Sequence, residues 1–145
     1  MAGASIRVAV ATDYPALRAV ATCGGPAARE GLPDAAVFAA RPPDSPALVA
    51  LLDDRIVGYL LASPLAFDGD APVSLWLEAV AVVPNRRRRG LATALCAALA
   101  AAARSAGARA LLGSTPTSPA MAALLARVGF VAHRDGLLLW RLDAD

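Results

Sequence analysis

The sequence predicts a single α/β domain, and three observations support this prediction. The chain has 145 residues, of which 57% are hydrophobic and 18% are charged, so it is apolar enough to collapse and long enough for one ordinary core. Strand patterns lie on both sides of an alanine- and leucine-rich stretch with helical spacing. A strand pattern leading into a helix opens the chain, and two short strand patterns close it. We therefore treat residues 1–145 as one domain.

The N-terminal third predicts a strand, a helix and a long loop. Residues 6–10 alternate apolar side chains with arginine and alanine, as a strand does. Residues 12–15 contain a Thr-Asp cap and a proline in the first turn, which predicts a helix that ends at Ala21. Glycine and proline are dense in residues 22–46, so this segment is expected to be a loop with room for one short helix.

The middle of the chain predicts a hairpin and a central strand. Residues 48–52 and 56–61 are apolar runs around an Asp-Asp-Arg turn, as a hairpin requires. Residues 73–83 form a long apolar stretch closed by a proline. Because strand side chains alternate with a period of two, Trp76 and Glu78 are expected on the same face of this strand.

The C-terminal half predicts two helices, a strand and a closing hairpin. Leucine recurs every four residues at the start of the stretch 90–106, and a glycine follows it, so this is the clearest helix. Residues 108–113 are expected to form a strand, and a Ser-Pro start predicts a helix over 118–128. Residues 131–134 and 137–142 flank an Asp-Gly turn and predict a hairpin.

Charge and cysteine content exclude several classes of protein. The 14 basic residues, all arginine, and 12 acidic ones leave a net charge of +2, too small for a general nucleic-acid coat or a membrane-surface protein. Cys23 and Cys96 form no disulfide framework or metal-ligand spacing, and with one histidine no metal site is expected. No leader pattern and no apolar run of about 18 residues is found. We expect a cytoplasmic protein.

The most informative segment is residues 77–92, in which a strand, a proline, four arginines and a glycine lead into a helix. A helix start leaves about four backbone N–H groups unpaired and carries roughly half a positive charge, so it can bind a phosphate. Gly90 and Ala92 lack bulk, and the arginines at 86–89 add charge. A solvated face or a nucleic-acid patch is the alternative for such a run. Its position between a core strand and a core helix favours the phosphate.

The segment from Arg87 to Ala92 resembles the pyrophosphate loop of the GNAT superfamily of acyl-CoA-dependent N-acetyltransferases. Two residues separate Arg87 from Gly90, and one residue separates Gly90 from Ala92. The loop of that family has Gln or Arg first, then Gly, then Gly or Ala, directly after the central strand. The order of elements, including the terminal Gly129-Phe130 and hairpin, also fits. The resemblance implies a mixed, mostly antiparallel sheet, flanked by helices on both faces and splayed at the central strand.

The resemblance also implies a co-substrate and the residues that bind it. Acetyl-CoA would supply an acetyl group for direct attack by the primary amine of a small molecule or peptide in a ternary complex. The backbone of Val80, Ala81 and Val82 would pair with the pantetheine arm, and an N–H near Val82 would stabilise the carbonyl oxygen as it gains charge. The residues expected to surround the pyrophosphate are Arg87, Arg88, Arg89, Gly90, Leu91, Ala92 and Thr93.

Reference pKa values indicate which step needs help. An alkyl amine with a pKa of about 10.4 costs roughly 4.6 kcal/mol to present as a free base at pH 7, whereas a thiol with a pKa of about 8.5 leaves as thiolate for about 2 kcal/mol. Proton removal is therefore the costly step. Glu78, on the central strand, is the candidate base, directly or through water. The alternative is a carboxylate that pairs with an arginine or attracts a cationic substrate.

The chain departs from the family at the usual general acid. The family's tyrosine falls on Leu125, and its asparagine on Ser118. Leucine cannot donate a proton, so water, Ser118 or another hydroxyl serves, the thiolate leaves unassisted, or the domain does not catalyse. The last option defines an alternative function, a non-catalytic acyl-CoA-binding regulatory module.

The sequence gives fewer indications of where the acceptor amine binds. Its pocket is expected from residues 22–46 and the strand face bearing Trp76 and Glu78, with Trp76 as a wall of the pocket or as a core residue. Glu30, Asp34 and Glu78 would suit a cationic small molecule, but a peptide amine is equally compatible. Binding of nucleic acid through residues 86–89 is the remaining alternative, disfavoured by the near-neutral charge. No membrane partner is expected, and a homodimer is compatible with the high apolar fraction.

Overall fold

A computed structural model describes the chain over residues 4–23, 31–65, 74–84, 90–116, 119–134 and 136–142. Its strands and helices alternate, as predicted for an α/β fold. In chain order the elements are β1 (Ala4–Val8), a 3-10 turn (Ala11–Asp13), α1 (Tyr14–Cys23), α2 (Ala35–Ala39), β2 (Ala47–Leu52), β3 (Arg55–Leu65), β4 (Ser74–Val82), α3 (Leu91–Ser105), β5 (Ala110–Ser114), α4 (Pro119–Val128), β6 (Val131–Arg134) and β7 (Leu137–Arg141).

The seven strands of the described residues form one sheet in the order β1-β2-β3-β4-β5-β7-β6. β4 and β5 run parallel, and every other neighbouring pair is antiparallel. The parallel pair is connected through α3, as a crossover between parallel strands requires. The predicted mixed, mostly antiparallel sheet is confirmed.

Helices cover both faces of the sheet, and each face has its own core. The α3-side core joins α3 and α4 to the sheet, and its members include Leu60, Leu95 and Leu125. The α1-side core joins α1 and α2 to the opposite face, and its members include Leu17 and Tyr59. Neighbouring β3 residues alternate between the two cores because strand side chains alternate between faces. The predicted flanking helices are therefore confirmed.

The second strand of the β2–β3 hairpin is longer than the sequence predicted. Its turn places Asp53 and Asp54 at φ of 53° and 63°, the left-handed conformation that Asp tolerates in tight turns. β3 was expected to end at residue 61, and this bound is wrong because the strand continues through Pro64 to Leu65. β2 reaches only to the pair of Ala47 with Leu61. The Ala62 N–H still donates to the Pro46 carbonyl at 2.9 Å. Beyond Ala62, β3 is an edge on one side, where a proline needs no hydrogen-bond partner.

The predicted helix start near Asp13 is a capped turn that precedes α1. The Asp13 carboxylate accepts a hydrogen bond from the Val10 N–H at 2.8 Å and two from the Arg7 guanidinium at 2.8 and 3.0 Å. These hydrogen bonds, chiefly those from Arg7, lower the pKa of the Asp13 carboxyl group. The turn therefore ties the end of β1 to the start of α1.

Candidate functional site

The centre of the sheet opens where β4 and β5 part. Their parallel pairing covers three positions, from Ser74 with Ala110 to Trp76 with Leu112. β4 then continues for six residues, through Val82, and among the described residues none of β5 pairs with that part. β3 remains paired on its other side. A strand with one open side can accept an extended ligand as an added strand, so the predicted splay is present.

Glu78 lies at an irregularity of β4 beside this opening. Leu61 lies opposite Ala79, and Ala62 lies opposite Leu77, so Glu78 is the extra residue of a β-bulge. Bulges re-aim side chains and bend the strand. Before the bulge Leu77 belongs to the α3-side core, whereas after it Ala79 belongs to the α1-side core.

The backbone of β4 faces its two neighbours alternately. The Val83 N–H donates to the Val57 carbonyl of β3 at 2.9 Å. Because opposite residues of an antiparallel pair alternate between bonded and non-bonded positions, the backbone groups of Ala81 also face β3. Those of Val80 and Val82 face the opening. Of the three residues predicted to pair with the pantetheine arm, Ala81 is therefore turned away.

The Glu78 carboxylate is paired with an arginine, as the alternative interpretation of this residue predicted, although the sequence did not indicate which arginine. Nη2 of Arg41 donates to Oε2 of Glu78 at 2.7 Å. The same nitrogen donates to the Ala62 carbonyl at 2.5 Å and, more weakly, to the Pro46 carbonyl at 3.4 Å. The Arg41 side chain is 12% exposed and that of Glu78 33%. Arg41 lies 37 residues from Glu78 along the chain, so no local pattern could reveal the pair.

The residues before and after α2 cover the acceptor side of β4. A Cβ on Gly31 would touch the Cβ of Ala79 at 3.4 Å, so the backbone there passes close to the bulge. Leu75 and Leu77 face the α3-side core, which turns the half-buried Trp76 to the opposite face by alternation. Arg41, which follows α2, binds Glu78 on that same face. The loop 22–46 and the face of Trp76 and Glu78 therefore meet in the described residues.

The start of α3 suits a diphosphate. Gly90 precedes it at φ 74°, and no side chain caps the helix, so its first N–H groups lack acceptors within the helix. A Cβ on Gly90 would meet nothing within 4 Å, which leaves open space. Leu91 is 2% exposed and can offer only its backbone, whereas Thr93 is exposed. The predicted contacts of Arg87, Arg88 and Arg89 fall outside the described residues.

The position of the missing tyrosine belongs to the core. Leu125 is 3% exposed and packs in the α3-side core; Ser118 lies outside the described residues. The Tyr14 hydroxyl donates to the Pro33 carbonyl at 2.7 Å. Tyr59 is fully buried, and burial raises its pKa to about 12. Tyr14 is therefore hydrogen-bonded to the backbone and Tyr59 is packed in the core, as expected for structural residues.

The described part of the chain contains no group of three His, Cys, Asp or Glu side chains that could hold a metal. None of its helices is both long enough and apolar enough to cross a bilayer.

Comparisons with known proteins identify the family and the fold. A family profile described as the acetyltransferase (GNAT) family matches residues 13–130. The chain matches no curated protein.

Solved structures share the fold over nearly the whole chain. The ribosomal-protein-S18-alanine N-acetyltransferase from Escherichia coli is similar with a TM-score of 0.78 at 17% identity, over 99% of this chain and 96% of that one. A ribosomal-protein-alanine N-acetyltransferase from Brucella melitensis has a TM-score of 0.72 at 29% identity, over 93% and 96%. A GNAT family acetyltransferase from Brucella melitensis in complex with acetyl-CoA has a TM-score of 0.75 at 23% identity, over 99% and 90%.

Proposed function

The chain belongs to the acetyltransferase (GNAT) family, and we propose that it moves the acetyl group of acetyl-CoA to the primary amine of a small molecule or peptide. Membership confirms the predicted enzyme class, an acetyl-CoA-dependent N-acetyltransferase. The acceptor and the roles of individual residues are the proposal. The observation that carries it is the opening between β4 and β5, beside an uncapped helix start led by Gly90.

The opening and the helix start divide the binding of acetyl-CoA between them. The open side of β4 around Val80 aligns the pantetheine arm, and the first amides of α3 hold the pyrophosphate. An amide on the same side of β4 stabilises the thioester oxygen as it gains charge. When bound, acetyl-CoA supplies the activated acetyl group. These contacts use main-chain atoms and fix the direction from which an amine attacks.

Glu78 removes the proton from the amine, directly or through one water. The bulge turns its carboxylate to the acceptor side of β4. Arg41 occupies Oε2, and among the described residues Oε1 has no hydrogen-bond partner. Oε1 is therefore the atom that takes the proton. The thiolate leaves without a tyrosine as general acid, because Leu125 stands at the family's tyrosine position and lies in the core.

Two of the acids that were expected to attract a cationic acceptor already have hydrogen-bond partners. The Asp34 carboxylate accepts from the Val37 N–H at 2.9 Å and caps α2, and Glu78 is paired with Arg41. Two of the three acids that would attract a cationic acceptor are thus engaged; Glu30 lies outside the described residues. Two structural neighbours are named as ribosomal-protein-alanine N-acetyltransferases, so a peptide that begins with alanine is the first peptide to test.

The test is release of free thiol from acetyl-CoA over a panel of small amines, amino acids, aminoglycosides and peptides. With the best acceptor, Glu78→Gln should lower turnover by about 100- to 10,000-fold and leave acetyl-CoA affinity within about twofold of wild type. Asp54→Asn, a matched change in the exposed β2–β3 turn, should behave as wild type. Equal turnover in Glu78→Gln would remove Glu78 from the mechanism. Tight acetyl-CoA binding without thiol release over the whole panel would support the non-catalytic alternative.

A further inference from the structure

We propose that Arg41 is a positioning residue of the transfer reaction, which fixes the Glu78 carboxylate through Oε2 and leaves Oε1 to accept the proton. The inference rests on the proposed role of Glu78. It is carried by the way in which one guanidinium nitrogen joins Glu78 to the backbone of β3.

The contacts of Arg41 link three strands at one point. Pro46 lies directly before β2, Ala62 lies on β3, and Glu78 lies on β4. Nη2 lies 2.7 Å from an oxygen of Glu78, 2.5 Å from the Ala62 carbonyl and 3.4 Å from the Pro46 carbonyl. Nη2 has two hydrogens, so the two short bonds, to Ala62 and Glu78, use them both. The Glu78 carboxylate is therefore attached to the fixed backbone of β3 through a single nitrogen.

Burial makes this attachment stiff. Arg41 is 12% exposed, and its Nε is buried with no hydrogen-bond partner among the described residues. A buried donor without a partner opposes folding, so the position of the guanidinium is not optimal for stability alone. Because Glu78 is 33% exposed, its free end would sample several rotamers without a partner. A base must stay within hydrogen-bond reach of the proton that it removes, and Arg41 limits those rotamers.

The pair also affects how acceptors bind. A carboxylate paired with an arginine attracts an approaching ammonium group less than an unpaired one does. Loss of Arg41 should therefore weaken the chemical step while leaving the affinity for a cationic acceptor unchanged or improved. A purely structural role would instead damage binding and turnover together. The split between kcat and KM distinguishes the two.

The experiment is a double-mutant cycle on the full chain with Arg41→Gln, Glu78→Gln and the double variant, using the best amine of the panel. We expect Arg41→Gln to lower kcat at least about 10-fold without raising the KM of the amine, since the arginine acts on the step and not on binding. The double variant should match Glu78→Gln within about twofold, because residues that act as a unit are not additive. Arg104→Gln is the matched control. Its Nε donates to the Leu142 carbonyl at 3.3 Å, and its loss should leave kcat unchanged.

Three results would overturn the inference. The first is wild-type kcat in Arg41→Gln. The second is a kcat that falls by the same factor in the presence and absence of Glu78, which would show that Arg41 acts on the fold and not through that carboxylate. The third is a loss of acetyl-CoA affinity equal to the loss of kcat. These outcomes leave wild-type turnover intact and so differ from failure of the proposed function, in which the wild type itself releases no thiol; that result would remove both proposals.

Discussion

Replacing Gly129 by alanine should destabilise the fold, because the added Cβ would strain the backbone and clash with Trp140. Gly129 directly follows α4 at φ 138°, a region that costs other residues about 1–3 kcal/mol. A Cβ there would lie 2.7 Å from Nε1 and 2.8 Å from Cε2 of Trp140. Trp140 cannot move away easily, because its backbone pairs with Leu111 and its ring packs against that of Phe130, with the ring centroids 5.6 Å apart. Overpacking of this kind adds about 1–3 kcal/mol.

We therefore expect Gly129→Ala to lower the free energy of unfolding by about 2–6 kcal/mol, the sum of the strain and overpacking ranges. Urea titration followed by far-ultraviolet circular dichroism measures it. Gly136→Ala is the matched control, since Gly136 has φ 75° with nothing within 4 Å of a Cβ and should lose only about 1–2 kcal/mol. In a Trp140→Leu background the cost of Gly129→Ala should fall toward the control value. An equal cost in both backgrounds would refute the role of the tryptophan.

Three further predictions follow from particular contacts. Gly90→Ala should raise the Kd of CoA about 10-fold by calorimetry, because about 1–2 kcal/mol of strain at this left-handed position would displace the first amides of α3; an unchanged Kd would contradict the predicted pyrophosphate site. The bonds from Arg7 lower the pKa of Asp13, so this carboxylate stabilises the fold above its usual pKa of 3.8 and the contribution is lost as the pH falls through the lowered value. Urea midpoints of Asp13→Asn should consequently change less between about pH 4 and pH 2 than those of wild type. Cys96 is buried with its pKa raised to about 11, whereas Cys23 is exposed, so a thiol reagent should titrate one cysteine in the native protein and two in denaturant.

Local patterns were sufficient for most of the elements. The helix predicted over 90–106 is Leu91–Ser105, because leucines at fourfold spacing and a following glycine act within one helix. The last hairpin was predicted from its Asp-Gly turn, and the loop 22–46 contains a short helix of the kind for which it was expected to have room. The largest error, at the end of β3, arose because Pro64 ends a strand only where both of its neighbours are present. Whether a neighbouring strand is present depends on the whole sheet.

The sequence alone determined the family, through a loop motif whose function depends on backbone atoms next to a helix start. It also singled out Glu78 as the candidate base, which stays a prediction, and it placed Leu125 at the position of the family's tyrosine. Only the tertiary structure decided how β4 is used. The bulge at Glu78 and the parting of β4 from β5 are relations between strands, and Arg41 reaches Glu78 across 37 residues. Chain folding brings such groups together through long-range packing, which leaves no periodic signal in the residues that take part.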